Sequence, residues 1–85
     1  MADELVGRVE KFFSRVSVAA IILREGSLKM GDTIHIQGHT TDFEETIASM
    51  QVENKDVAEA SPGDLIGIRV KEKVRQGDKV SKVVP

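Results

Sequence analysis

A chain of 85 residues has room for one small core, which excludes a pair of packed domains or an enzyme with a deep cleft between lobes. Its hydrophobic fraction of 40% and charged fraction of 31% are those of an ordinary globular domain, which argues against a disordered chain. With 12 Lys and Arg against 14 Asp and Glu the formal net charge is −2, so any attraction for a polyanion must come from a local patch.

The first 23 residues carry two superimposed signals. Leu5, Val9, Phe12, Val16, Ala19 and Leu23 recur at three- and four-residue steps, as on a helix face. Gly7 and the density of Val16, Val18, Ile21 and Ile22 favour extended backbone instead, because β-branched side chains lose χ1 freedom in a helix. Periodicity alone leaves both open; the residue types favour two strands, about 5 to 12 and 16 to 23. The acidic start MADEL is unlike a signal peptide, no apolar run reaches the ~18 residues that span a bilayer, and a cytoplasmic location without membrane contact is expected.

Gly26 to Gly31 has the two-glycine spacing of a phosphate loop, but Asp32 and Thr33 follow where that loop needs Lys and then Ser or Thr. A turn is predicted there, and no nucleotide site. Ile34 and Ile36 alternate with Thr33, His35 and Gln37, which predicts a strand. From Thr41 to Val52 a capping box at Thr41 and Glu44 competes with a strand whose apolar phase changes after Ile47; a strand bulged near Ala48 and Ser49 is preferred. Ser61, Pro62 and Gly63 form a turn, and Leu65 to Lys73 reads as a strand with Ile66, Ile68 and Val70 on one side. Gly77 and Asp78 then introduce a last strand, KVSKVV.

A Gly-Asp pair thus precedes three extended segments, at residues 31 and 32, 63 and 64, and 77 and 78. Glycine supplies a positive φ, and the aspartate is expected to bond backbone just beyond it. Three such units predict a small antiparallel barrel or sandwich filling residues 1–85 as one domain.

Catalytic chemistry finds little support. Cys, Tyr and Trp are absent, no serine lies in a nucleophile elbow, and Glu44 and Glu45 point to opposite faces of a strand. His35 and His39 with Asp42 make a thin metal set, set against two polar residues at a solvated strand end, so no metal and no cofactor are assigned. The chain is expected not to be an enzyme. Arg69, Lys71, Lys73 and Arg75 are the candidate contact residues, predicted to line the outer side of a strand and to touch RNA phosphates or an acidic protein surface. The plainer alternative is a solvated face that guards against edge pairing. Phe12, Phe13 and Phe43 give no base-stacking platform.

In order and spacing, Gly26, Leu28, Lys29, Gly31, Asp32, Ile34 and Ile36, then Ser49 and Met50, then Pro62, Gly63, Asp64, Ile66 and Gly67, and finally Gly77 and Asp78 resemble the second domain of translational GTPases, the elongation factor Tu barrel. The resemblance implies a closed antiparallel Greek-key β-barrel of six to seven strands, standing alone without a GTPase domain. It further implies a non-catalytic adaptor for RNA or the ribosome. The alternative is a module for a protein partner, an RNA-modifying or collagenase-like peptidase-family enzyme, whose members can carry a similar barrel at their C-terminus. Where bacterial factors that hold the aminoacyl-tRNA end place a glutamate and, three residues on, an arginine, this chain has Gln51 and Asn54, and where the family starts its second strand with G-R-G-T-V it has Ser14, Arg15, Val16, Ser17 and Val18, with the arginine retained.

Overall fold

The computed structural model describes residues 2–84, all strand, turn or loop. Ten strands run in order: β1 Ala2–Phe13, β2 Val18–Leu23, β3 Leu28–Lys29, β4 Thr33–Gln37, β5 Asp42–Thr46, β6 Met50–Val52, β7 Lys55–Asp56, β8 Glu59–Ala60, β9 Leu65–Arg69 and β10 Lys79–Val84. Six have five residues or more, against the six to seven strands that the resemblance implies, and four short ones are added between them.

Eight strands form one antiparallel sheet in the order β5-β4-β10-β1-β2-β9-β6-β7, and β3 pairs with β8. The last strand inserts between β1 and β4, and β9 lies between β2 and β6, which are the out-of-sequence neighbours of a Greek-key connection. The fold is all-β and barrel-like. Among the described residues no ladder joins β5 to β7; on that side β3–β8 pairing, Met30 N–H to Ala58 O at 3.0 Å and Gly31 N–H to Ile47 O at 2.9 Å tie the segments.

Alternation decides which residues fill the interior. Ala19, Ile21 and Leu23 of β2, Ile34 and Ile36 of β4, and Ile66 and Ile68 of β9 are fully buried, and their strand neighbours face outward. In β1 the buried positions are Val6 and Val9, with Phe12 packed against the same core, a spacing of three rather than two. Two bulges cause it. Val6 is an extra residue against β10, where Leu5 pairs with Ser81 and Gly7 with Val80; Glu10 is extra against β2, where Val9 pairs with Ile21 and Lys11 with Ala20. The helix-like spacing of the first 23 residues therefore belongs to two strands joined by a turn at residues 14–17, as the residue types indicated.

The three Gly-Asp turns share one geometry. Gly31, Gly63 and Gly77 have φ of 92°, 97° and 92°, the conformation a type II turn needs at its third residue. The aspartate does not bond forward as expected but reaches back three residues. Asp32, Asp64 and Asp78 accept from the backbone N–H of Lys29, Ser61 and Arg75 at 3.0, 2.9 and 2.9 Å, while their own N–H groups donate to the carbonyls of those residues. Each turn is thus closed by two bonds between the same pair of residues. Asp78 is buried, and Gly38 is bare where a Cβ would fall on its carboxylate.

Two other expectations are corrected. The segment from Thr41 to Val52 is not one bulged strand: β5 ends at Thr46, Ile47 is pinned by its N–H to Asp32 O at 2.8 Å, and exposed Ala48 and Ser49 carry the chain to β6, which pairs with β9 and β7. The strand predicted from Leu65 to Lys73 stops at Arg69, because its partner β2 begins at Val18 and Val18–Arg69 is the last pair.

Candidate functional site

Of the four basic residues singled out above, only Arg69 is on a strand. Lys71, Lys73 and Arg75 lie in the connection from β9 to β10, so they form no stripe on a strand face. That connection is fixed by buried Val70 and Val74, by Val70 N–H to Ser17 O at 2.8 Å, by Gly77 N–H to Val9 O at 2.8 Å and by Lys71 N–H to a Glu45 carboxylate oxygen at 2.6 Å. All four side chains are exposed, and none makes an ion pair among the described residues. Arg69 and Lys71 border a small groove of about 240 Å³ with Glu45, Thr46, Ala48 and Ser49; Lys73 and Arg75 lie outside it. Glu45 within that groove offsets part of the positive charge.

The two histidines diverge. His39 lies beyond the end of β4, whereas His35 sits on its outer face between two carboxylates, with Nδ1 2.6 Å from an Asp3 oxygen and Nε2 2.5 Å from an Asp42 oxygen. A neutral imidazole has one N–H and can donate to one of them only, so this geometry belongs to the imidazolium. Hydrogen bonds to Asp3 and then Asp42 raise the His35 pKa above 6.5, with their charges adding and partial burial opposing. The bonds tie β4 to β5 and reach across β10 to β1. No group of three or more His, Cys, Asp or Glu suited to a metal occurs among the described residues.

The sign of the pH effect follows. A group whose pKa is raised on folding stabilises fully below its unfolded value and loses that contribution as pH climbs through the folded one. The melting temperature is expected to fall as pH rises from 6.5 upward, and His35→Gln is expected to flatten that fall. Identical profiles for the two proteins in thermal melts would remove His35 from the account.

A larger apolar surface, which reading along the sequence did not identify, lies at the β1–β2 turn. Phe13, Val16 and Leu65 are 44%, 52% and 52% exposed, and with Val18, Ala20, Gln51, Glu53 and Asn54 they line an open cleft of about 430 Å³. Lys11 Nζ sits 5.0 Å from the Phe13 ring centroid. Gln51 donates to Asp56 at 3.0 Å, and Glu53 and Asn54, with φ of 53° and 64°, make the tight turn joining β6 to β7. The signal available in sequence was an exposed-phase aromatic, Phe13, beside Val16 in a turn.

The fold and its surfaces thus make a small all-β, barrel-like module with an open apolar cleft and an exposed basic connection. The family model for elongation factor G domain 2 matches residues 7–83, and the chain belongs to that family. An uncharacterized protease of Methanocaldococcus jannaschii is 47% identical over 76 residues, which cover 88% of this chain and 18% of that protein. A collagenase of Porphyromonas gingivalis is 41% identical over 76 residues, covering 88% of this chain and 21% of that one. The chain therefore spans about a fifth of the length of these relatives. Among solved structures, the C-terminal domain of a putative U32 peptidase of Geobacillus thermoleovorans superposes with a TM-score of 0.86 at 20% identity, covering 93% of this chain and 99% of that one. At that identity the likeness is one of fold.

Proposed function

We propose that the chain is a non-catalytic accessory domain that works with, or as part of, a collagenase-like peptidase. The observation that carries this reading is the identity of 47% and 41% to a fifth of proteins named protease and collagenase. The RNA or ribosome adaptor implied by the resemblance to elongation factor Tu finds no support in those relatives.

One structural feature favours a protein partner, and another favours a non-catalytic role. The Phe13, Val16 and Leu65 cleft exposes apolar side chains together, as a contact surface does. His35, the side chain best suited to moving a proton near neutral pH, has both ring nitrogens engaged by carboxylates, which makes it a clamp between strands. The partner proposed for the apolar cleft is the rest of such a peptidase, the roughly four fifths of these relatives that the chain does not match. Arg69, Lys71, Lys73 and Arg75 are proposed as flanking contacts to acidic groups on it.

The test uses a peptidase of this family from which the segment matching residues 7–83 has been deleted. Added in trans, this chain is expected to form a complex by size-exclusion chromatography and to restore cleavage of a collagen-derived polypeptide, and alone it is expected to cleave nothing. Phe13→Ser with Leu65→Ser is expected to prevent the complex. Failure to bind the truncated enzyme, or cleavage by the chain alone, would overturn the reading.

A further inference from the structure

Midway along β1, in a groove that shares no lining residue with the apolar cleft, three cations converge. Arg8 of β1 and Lys79 of β10 are directly opposite each other in the ladder, and both are exposed. Like charges placed so repel, and most sheets avoid the pairing. The next neighbours give no relief: Arg8 faces Ile22 on its other side and Lys79 faces Gln37. Arg24 completes the set, its backbone N–H held 2.7 Å from Val6 O at the first bulge of β1. None of the three makes an ion pair among the described residues.

The surface beneath them is concave. Arg8, Arg24 and Lys79 line a groove of about 560 Å³ with Leu5, Glu25 and two glycines, Gly7 and Gly77. Gly7 adds no side chain to the groove, and a Cβ there would strike the Ile22 carbonyl. An adjoining depression shares Gly77 and Lys79 and adds Gln37, Gly38 and His39, without an acid. In a chain of net charge −2 this concentration of positive charge is a matter of placement, since one acid, Glu25, faces three fixed cations.

We propose that this groove binds an acidic peptide segment of a protein partner, with carboxylates on Arg8, Arg24 and Lys79 and an aliphatic side chain against Leu5. Guanidinium groups take carboxylates through two parallel hydrogen bonds, which suits the two arginines. Leu5 is 51% exposed and supplies an apolar seat that a sugar-phosphate chain does not need. The groove has no aromatic ring on which a base could stack. Protein is therefore favoured over nucleic acid. This assignment stands on the groove itself and holds whether or not the chain works beside a peptidase.

The experiment is a titration of the isotope-labelled chain with a peptide of four Glu-Leu repeats, followed by backbone amide chemical shifts, and in parallel with an octauridylate. The peptide is expected to shift Gly7, Arg24, Gly77 and Lys79, and to bind less well as salt is raised through the range where the Debye length falls below about 8 Å. Arg8→Gln with Lys79→Gln is expected to weaken binding about tenfold, two exposed charge contacts being lost. That variant is expected to melt no lower than the parent, because the opposed charges are gone, so the lost binding reports on the groove rather than on unfolding. Shifts clustered elsewhere, unchanged affinity in the variant, or tighter binding of the octauridylate at these same amides would each overturn the proposal.

Discussion

Gly7→Ala is expected to destabilise the domain by about 3 kcal/mol, the upper range for overpacking, although it adds a single methyl group. Gly7 lies, with Arg8, where the two ladders of β1 overlap, and it is paired with Val80 of β10 and with Leu23 of β2. An added Cβ would meet the carbonyl of Ile22 and the Cα of Leu23, which are backbone atoms and cannot rotate away. Relief requires β1 and β2 to separate, and those strands anchor the sheet. A domain of this length has a total stability of about 4 to 13 kcal/mol, so the loss is a large share. Gly63→Ala makes the contrast: nothing lies within 4 Å of its added Cβ, and only the φ of 97° opposes it, which is expected to cost about 1 to 2 kcal/mol. Urea denaturation of the three proteins measures the order, and a Gly7→Ala midpoint at or above that of Gly63→Ala would refute the close approach of β1 to β2.

Ile21→Ala is expected to cost about 2 to 5 kcal/mol, through lost burial and the cavity left behind. Ile21 is fully buried and pairs with Val9 on one side and Ile66 on the other, so it joins three strands across the interior. For a domain of this size each kcal/mol lowers the melting temperature by about 4 to 8 °C, and a fall of about 10 °C or more is expected. Ile21→Val, which removes one methyl, is expected to cost only about 1 kcal/mol. Calorimetry of both variants checks the pair; equal small shifts would mean that the interior collapses around the gap.

How far the sequence carries these conclusions depends on how local each feature is. The Gly-Asp turns are encoded within four residues, and they are legible because a positive φ next to an aspartate has few other uses. The alternation in β2, β4 and β9 is equally direct. The β1 pattern is ambiguous because each bulge inserts one residue: the buried positions are Val6, Val9 and Phe12, three apart, and the helix-like set read from sequence began instead at Leu5, which is exposed. The separation of β5 from β6 could not be read locally, since Ile47 is held by a turn distant in sequence and Met50 by β9.

Candidate surfaces were less legible than the fold, for the same reason. Arg69, Lys71, Lys73 and Arg75 drew notice by proximity in sequence, yet the end of β2 ends their strand and disperses them. Arg8, Arg24 and Lys79 are scattered along the chain; ladder register sets Arg8 opposite Lys79, and a backbone bond to Val6 at the bulge brings in Arg24. The clamp on His35 likewise takes its carboxylates from β1 and β5, on opposite sides of β4 and with β10 between.

The outermost pair of the β1–β10 ladder, Ala2 with Val84, brings residues near the two ends of the sequence side by side. A domain with that layout is a cassette: it can be spliced into a loop of a host protein without stretching either junction, and its barrel need not open to accept the graft. Circular permutants follow from the same layout. A short glycine-rich bridge across the old ends, with a new start cut at the Glu53–Asn54 hairpin tip, preserves every long ladder while moving the entry point to the rim of the apolar cleft.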